Sequence, residues 1–176
     1  GRCRCRAERG GVMSIHHRAG ERATISFTLN GKRRSGSAEP RMLLSDFLRH
    51  EMRALGVHAG CEHGVCGACT ILVNGVAMRS CTQYAVQIDG ADVVTIEGLA
   101  EPGTLGVVQQ AFARHQALQC GFCTPGILCS VTHFLKDTPA PTEAEVRDML
   151  SGHICRCTGY ASIVAAVLEA AEDSRK

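Results

Sequence analysis

Along the first half of the chain, short runs of apolar and β-branched residues are separated by turn dipeptides, which is the pattern of β-strands. The dipeptide Asn-Gly, the strongest short signal for a β-hairpin, occurs twice between such runs. Strands are predicted at residues 24–29, 70–73, 76–78 and 93–96, with hairpin turns at Asn30-Gly31 and Asn74-Gly75. We therefore expect two β-hairpins and one further strand.

One helix is predicted between the two hairpins. Its apolar residues follow Pro40 at the spacing of one helix face and stop before Gly56, where the helix should end. These residues are Leu44, Leu48, Met52 and Leu55. Together with the strands and a loop rich in Gly and Cys at residues 60–69, this helix predicts a small α+β unit.

In the second half of the chain the strand pattern stops, and the apolar residues recur with helical spacing. A cap followed by proline at Thr124-Pro125 predicts the start of one helix, and a capping box at residues 142–145 predicts the start of another. Apolar faces mark three of the four helices, at Leu105, Val108 and Phe112; at Ile127, Leu128, Val131 and Leu135; and at Ile163, Val164, Val167 and Leu168. We therefore expect four helices and no strand in this half.

These patterns divide the chain into three parts of an α+β fold. Residues 1–21 form a basic lead-in that we expect to be flexible, and Cys3 and Cys5 within it have no expected structural role. Residues 22–97 form the part with strands and one helix. Residues 98–176 form the four-helix part.

The composition argues against nucleic-acid binding and membrane insertion. The formal net charge is only +2, and residues 1–34 hold nine Lys and Arg against two acids, so the basic excess belongs to the lead-in. Aromatic residues make up 4% of the chain and Trp is absent, so the stacking surfaces of single-strand binders are lacking. No apolar run reaches the roughly 20 residues of a membrane span. We expect a cytoplasmic chain with no nucleic-acid partner and no membrane span.

The chain holds eleven cysteines, and this number points to metal-binding thiolates. An odd count, the lack of a signal peptide and the length of the chain all argue against a framework of disulfides. Eight of these cysteines fall into two sets of four.

The first cysteine set has the spacing C-x4-C-x2-C with a fourth cysteine further on, which matches the ligand run of plant-type [2Fe-2S] clusters. Its members are Cys61, Cys66, Cys69 and Cys81. A cluster with two irons is larger than one ion, so the loop must wrap around it with its amides facing inward, and Gly60, Gly64 and Gly67 allow that approach. The hairpin at Asn74-Gly75 brings the chain back for the fourth cysteine.

The second cysteine set consists of a C-x2-C pair and a C-x-C pair, each placed before a predicted helix. Its members are Cys120, Cys123, Cys155 and Cys157. If the two helices lie side by side, their N-termini bring the four thiolates together. A cluster of this kind carries a formal charge of about −2, which the partial positive charges of two helix N-termini stabilise.

Two structural zinc ions are the main alternative, since four-cysteine zinc sites also use C-x2-C pairs. The C-x4-C and C-x-C spacings are poor for zinc, and we favour iron-sulfur clusters. A Rieske centre needs two His ligands, and Cys61-Glu62-His63 offers only half of such a pattern. A catalytic thiol is not expected, because a ligating sulfur is unavailable as a nucleophile.

With both sets in view, the chain resembles the iron-sulfur subunit of the molybdenum hydroxylases, the family of xanthine dehydrogenase, aldehyde oxidase and carbon monoxide dehydrogenase. The resemblance covers about residues 22–172. It is carried by residues 60–69 (GCEHGVCGAC), 119–126 (QCGFCTPG) and 155–160 (CRCTGY).

The resemblance implies a β-grasp, plant-type ferredoxin domain followed by an all-α, four-helix [2Fe-2S]-binding domain. It implies two partners, a large subunit with molybdopterin, in the cytosine dinucleotide form, and a medium subunit with FAD, assembled as a dimer of heterotrimers. Electrons from the molybdenum site would pass through the cluster of the second set and then through that of the first set to FAD. Gln119 and Cys120 match positions that approach the pterin. The substrate site would belong to the large subunit, so this oxidoreductase subunit has no catalytic residue of its own.

A free-standing ferredoxin-like carrier is the alternative function. We favour the subunit, because a diffusible carrier needs one accessible cluster and has no use for a second one in a helical domain.

Several other residues are expected to have no part in the chemistry. Cys129 lies on the apolar face of its helix and is expected to be a buried thiol. Glu62 and His63 are expected to be solvated loop residues, and Tyr160 to be a packing residue.

Overall fold

The computed structural model describes residues 20–175 of the 176-residue chain. The expectations for residues 1–19, including Cys3 and Cys5, therefore lie outside the described residues.

Five strands form one mixed sheet. Their bounds are Ala23–Leu29 (β1), Lys32–Ala38 (β2), Thr70–Val73 (β3), Val76–Arg79 (β4) and Asp92–Val94 (β5). Their order in the sheet is β2-β1-β5-β3-β4. β5 runs parallel to β1 and antiparallel to β3, while β1–β2 and β3–β4 are antiparallel hairpins. The predicted strands are confirmed, except that the last one ends at Val94 and Ile96 begins a 3₁₀ turn.

Both hairpins turn at the predicted Asn-Gly dipeptides. Asn30 and Gly31 have φ angles of 51° and 73°, and Asn74 and Gly75 have φ angles of 51° and 82°. A two-residue turn that matches the twist of the strands needs positive φ at both positions, which Asn tolerates and Gly adopts without cost. The dipeptides therefore fix the register of each hairpin.

The first helix covers the sheet but is shorter than expected. It begins as α1, Leu44–Asp46, and continues as a π-helical turn over Phe47–Glu51. Leu44, Phe47 and Leu48 are fully buried against the sheet. The prediction that Leu55 belongs to this apolar face is wrong, since its side chain is 56% exposed. The reason is Arg53, whose φ of 61° turns the chain after the helix has ended.

Four helices follow the sheet, as predicted. They are α2, Val107–Arg114; α3, Thr124–Asp137; α4, Glu143–Leu150; and α5, Ala161–Asp173. The capping box at the start of α4 is confirmed, because the Thr142 side chain accepts from the Glu145 N–H and the Glu145 carboxylate accepts from the Thr142 N–H. The prediction that Leu105 lies on the face of α2 is wrong: it precedes the helix and is 52% exposed.

Two separate apolar cores result. One lies between the sheet and α1 and includes Ile25, Phe47 and Ile71, and we call residues 23–94 the sheet region. The other lies among the four helices and includes Phe112 and Ile163, and we call residues 107–173 the helical region. The fold is therefore α+β, as expected.

The two regions touch where α3 packs against β3. The approach is close, because a Cβ atom added to Gly126 in the first turn of α3 would lie 2.2 Å from the carbonyl oxygen of Gly67. Within residues 20–175, no helix has the length and apolar character that crossing a membrane would require.

Candidate metal centres

The first cysteine set is gathered by the loop before β3 and by the turn after β4. Cys69 lies directly before β3 and Cys81 lies in a 3₁₀ turn directly after β4. Because β3 and β4 form a hairpin, the two ends come together, and both the N–H and the hydroxyl of Ser80 donate to the Cys69 carbonyl oxygen, at 3.3 and 2.8 Å. Both thiols are buried. The hairpin thus returns the fourth cysteine, as the sequence predicted.

Cys61 and Cys66 complete the first set from within the loop. The Cys66 N–H donates to the Cys61 sulfur at 3.3 Å. This hydrogen bond is the main cause that lowers the pKa of Cys61 to about 6, and the N–H of His63 adds to it. Burial has the opposite effect on Cys81, where it raises the pKa to about 12, with a further contribution from a hydrogen bond to the Cys69 thiol.

Glycine gives this loop its shape. Gly64 and Gly67 have φ angles of 86° and 77°. A Cβ atom on Gly60 would lie 3.0 Å from the Cys66 sulfur. The backbone can therefore come close to the thiols and turn N–H groups toward sulfur, and N–H donors of this kind stabilise a bound anion.

The second cysteine set is gathered between the start of α3 and the segment before α5. Cys123 is the residue that precedes α3, and its pKa is raised to about 12 by burial and by a hydrogen bond to the Cys155 thiol. Cys120 lies close enough to raise the same pKa by its charge, and the Cys157 N–H faces the Cys155 sulfur. Cys120 and Cys157 are exposed.

Cys155 has a more polar environment than its partner thiol. Burial raises its pKa, but hydrogen bonds to sulfur from Thr158, whose hydroxyl lies 3.1 Å away, and from the Cys157 N–H bring the net pKa below the usual value. The pKa values of the two thiols in contact are therefore shifted in opposite directions, up for Cys123 and down for Cys155.

The packing of the second set differs from the expected pair of adjacent helix starts. α5 packs chiefly against α2 and α4, and three residues separate its start from Cys157. The segment before α5 reaches α3, because Cys155 contacts Cys123 and His153 contacts Ser130.

Tyr160 packs against the helical core, as expected, and it also holds this segment by hydrogen bonds that were not predicted. Its hydroxyl accepts from the Cys155 N–H at 2.8 Å and donates to the His153 carbonyl oxygen at 3.0 Å. Its backbone has a φ of 68°, a conformation uncommon for a bulky residue. A partly buried Tyr hydroxyl usually finds a hydrogen-bond partner, so a Tyr next to the C-x-C pair was the available signal.

His153 is a second residue that the sequence analysis missed. It is 3% exposed, its Nε2 lies 2.7 Å from the Ser130 hydroxyl, and its Nδ1 has no partner. Burial, with the charge of Arg79, lowers its pKa to about 4, so the imidazole is neutral at pH 7. An isolated His in a sequence gives no signal of such a contact.

Cys129, Glu62 and His63 lie as the sequence predicted. Cys129 is buried, and burial raises its pKa to about 12, as expected of an apolar core thiol. Glu62 and His63 are exposed in the first loop, and the His63 ring contacts the Cys61 carbonyl oxygen. Gln119 is exposed beside Cys120 at the surface of the helical region.

Six of the eight thiols are arranged in pairs. Across residues 20–175, no group of three or more His, Cys, Asp or Glu side chains is placed to hold a single metal ion. Side-chain interactions that shift the pKa values instead pair Cys61 with Cys66, Cys69 with Cys81, and Cys123 with Cys155. A [2Fe-2S] cluster with four cysteine ligands takes two thiolates on each iron, so this donor set fits such a cluster.

Two family models match the chain. One, described as "2Fe-2S iron-sulfur cluster binding domain", matches residues 38–108, and the other, described as "[2Fe-2S] binding domain", matches residues 95–168. The first match includes every member of the first cysteine set, and the second includes every member of the second set.

Individual proteins match over most of their length. The chain is 51% identical over 150 residues to the nicotine 6-hydroxylase small subunit of Paenarthrobacter nicotinovorans, covering 85% of this chain and 90% of the relative. It is 48% identical over 146 residues to caffeine dehydrogenase subunit gamma of Pseudomonas sp. (strain CBB1), covering 81% and 87%. A chain in the crystal structure of quinoline 2-oxidoreductase from Pseudomonas putida 86 superposes with a TM-score of 0.85 at 48% identity, covering 88% of this chain and 96% of that one. The chain belongs to the family of iron-sulfur subunits of the molybdenum hydroxylases, oxidoreductases of the xanthine dehydrogenase and aldehyde oxidase type.

Proposed function

We propose that the two cysteine sets hold one [2Fe-2S] cluster each and that these clusters carry electrons through the subunit. The ligands of the first cluster are Cys61, Cys66, Cys69 and Cys81, and those of the second are Cys120, Cys123, Cys155 and Cys157. The pairing of six of the eight thiols supports this assignment most directly, because a two-iron cluster takes two ligands on each iron. A single zinc ion would need four sulfurs at the corners of one tetrahedron.

The chain's own groups would serve these clusters in two ways. N–H groups directed at Cys61 and Cys155 offset negative charge on sulfur. Hydrogen bonds of this kind are one of the factors that set the reduction potential of a cluster. The burial of Cys69, Cys81 and Cys123 keeps water from part of each site. When bound, each cluster accepts and releases one electron.

We assign the sheet region to a β-grasp, plant-type ferredoxin domain at residues 22–97 and the helical region to a four-helix cluster-binding domain at residues 98–176. The two separate apolar cores support this division. The mixed sheet order, with β5 parallel to β1 in the centre, is compatible with the ferredoxin assignment.

We propose that the subunit works between two partners. A large subunit with molybdopterin, in its cytosine dinucleotide form, would supply electrons to the second cluster, and a medium subunit with FAD would receive them from the first, within a dimer of heterotrimers. The exposure of Gln119 and Cys120 supports a contact with the pterin at the helical region. The cytoplasm is the compartment we assign, because the nine cysteines in the described part of the chain are all free thiols.

Electron paramagnetic resonance of matched cysteine variants tests the assignment. The chain is produced with its partner subunits, reduced, and assayed for iron, acid-labile sulfide and zinc. Wild type should show two [2Fe-2S] signals. Cys69→Ser should lose one signal and Cys155→Ser the other, because each removes a ligand of one cluster only.

Cys129→Ala is the control, since this buried cysteine belongs to neither set, and it should keep both signals. Zinc in place of iron, or loss of the same signal in both ligand variants, would contradict the proposal. Purification of the chain as a stable monomer that shuttles electrons without flavin and molybdopterin subunits would favour the free-standing carrier.

A further inference from the structure

The two cysteine loops are joined by a direct backbone contact. The Cys66 carbonyl oxygen accepts a hydrogen bond from the Ile154 N–H at 3.0 Å. Ile154 is bonded to Cys155, so a cysteine of the first set and a cysteine of the second are connected through one hydrogen bond and one residue. The Ile154 side chain is 55% exposed, which leaves the backbone as the part of this residue that makes the connection.

Arg79 braces this contact from the sheet region. Its guanidinium donates to the Gly152 carbonyl oxygen at 2.5 Å and also donates to the Thr70 hydroxyl. The Thr70 hydroxyl in turn donates to the carbonyl oxygen of Gly67 at 2.6 Å. One side chain therefore ties the end of β4 to the segment that leads into Cys155.

His153 braces the contact from the helical region. Its ring is wedged between α3, where it meets the Ser130 hydroxyl, and the first cysteine loop. A Cβ atom on Gly67 would lie 2.4 Å from His153 Nδ1, so no larger residue fits there without displacing the ring. The ring thus sets the distance between the two loops.

The first cysteine loop and the start of α3 are packed too closely to move past each other. Gly67 and Gly126 meet with space for hydrogen atoms only, and Gly126 follows Cys123 by three residues in the first turn of α3. The first turn of α3 is therefore fixed against the same stretch of backbone that Arg79 and His153 hold.

We propose that Arg79 and His153 are positioning residues that keep the Cys66–Ile154 hydrogen bond closed and thereby fix the separation of the two cluster sites. The proposal rests on the proposed function, since it assigns a cluster to each set. The clusters held by the two cysteine sets would exchange one electron, which oxidises the donor cluster and reduces the acceptor cluster, with no bond formed or broken and no proton moved.

Neither residue touches a cysteine side chain in the contacts above, so each acts through the backbone that it holds. Electronic coupling between two buried centres falls steeply when a bonded or hydrogen-bonded contact between them opens. Removal of the brace should therefore weaken the communication between the clusters and leave each cluster in place.

The test uses Arg79→Met in the assembled complex. This variant keeps the aliphatic stem and removes the donors to Gly152 and Thr70. In the fully reduced protein both clusters are paramagnetic, and their magnetic interaction splits the resonance signals. We expect this splitting to change. Electron transfer between the clusters, followed by rapid mixing, should become slower than in wild type. Iron content and the separate signals of both clusters should stay as in wild type.

Arg34→Met is the matched control, because Arg34 is an exposed arginine on β2 of the same sheet. It should match wild type in splitting and in rate. His153→Gln provides an independent test from the other side of the contact, since a Gln amide can still reach Ser130 but does not fill the space of the ring, and it should change the splitting in the same way.

The outcomes separate this inference from the proposed function. If both variants keep two clusters with the splitting and the rate of wild type, Arg79 and His153 do not position the sites, and the inference is wrong. If Arg79→Met instead loses one cluster, the residue is needed for assembly and the positioning role is overturned. If wild type itself contains no iron, the proposed function fails.

Discussion

The two cysteine sets are brought together by different parts of the fold. In the first set, three cysteines share one glycine-rich loop and a hairpin returns the fourth, so the whole site lies within residues 61–81. In the second set, the two pairs are separated by α3 and α4, and the site exists only once the helical region has folded. The first site is local in sequence, whereas the second depends on tertiary packing.

Because of this difference, the two sites are sensitive to substitutions at different kinds of position. The first depends on backbone conformation, at glycines with positive φ and at a two-residue turn. The second depends on the helical core and on Tyr160, which ties Cys155 to His153. Substitutions chosen in one region should therefore affect one site before the other.

The largest expected effect comes from opening the helical core. Phe112 is 1% exposed, and Phe112→Ala should destabilise the helical region by about 3–5 kcal/mol. The second cluster should be lost on mild heating while the first remains, as followed by thermal unfolding together with electron paramagnetic resonance. Phe47→Ala in the sheet core should give the reverse order. Equal loss of both clusters in Phe112→Ala would show that the two sites do not differ in this way.

A smaller effect is expected from Tyr160→Phe, which removes one hydroxyl and keeps the ring. The Cys155 N–H and the His153 carbonyl oxygen lose their partner, at a cost of about 1–3 kcal/mol for each group left unsatisfied. The second cluster should release iron to a chelator faster, with the first unchanged. Tyr84→Phe is the control, because Tyr84 is exposed. Faster release from the first cluster would contradict the assignment of Tyr160 to the second site.

Two glycine substitutions compare the backbones of the two loops. Gly64 and Gly121 have φ angles of 86° and 80°, so Ala at either position should cost about 1–2 kcal/mol. Gly64→Ala should be the more damaging, since its Cβ would also lie 3.0 Å from the Thr82 methyl group, whereas Gly121 has nothing within 4 Å. Urea unfolding and iron release measure both. An effect of Gly121→Ala that exceeds that of Gly64→Ala would show that the second loop is the more constrained one.

The smallest expected effect concerns Glu169 on α5. A hydrogen bond from His115, with the charge of Arg114, lowers the pKa of this carboxyl below its usual value. Such a group stabilises the folded state fully above the pKa of the unfolded chain, about 4.3, and the stabilisation is lost as the pH falls through the lower pKa of the folded state. Glu169→Gln should lower the urea midpoint of the helical region at neutral pH, and the difference from wild type should shrink on acidification. A difference that grows as the pH falls would contradict this sign.

Much of the fold was predictable because its signals are local. The Asn-Gly dipeptides, the capping box at Thr142 and Glu145, and the cysteine spacings each act within a few residues of chain. The errors at Leu55 and Leu105 arose because apolar residues with helical spacing continue beyond the helices, after the first helix at Leu55 and before α2 at Leu105. There the left-handed turn at Arg53 and the late start of α2 overrode the pattern.

The elements, the two turns and the grouping of eight cysteines into two sets follow from the order of the amino acids alone, because backbone preference and ligand spacing are properties of short segments. The packing of the folded chain was needed to bring Cys123 to Cys155, His153 to Ser130 of α3, and Arg79 to Gly152. These contacts join residues far apart in the chain, and their geometry depends on how two apolar cores pack against each other.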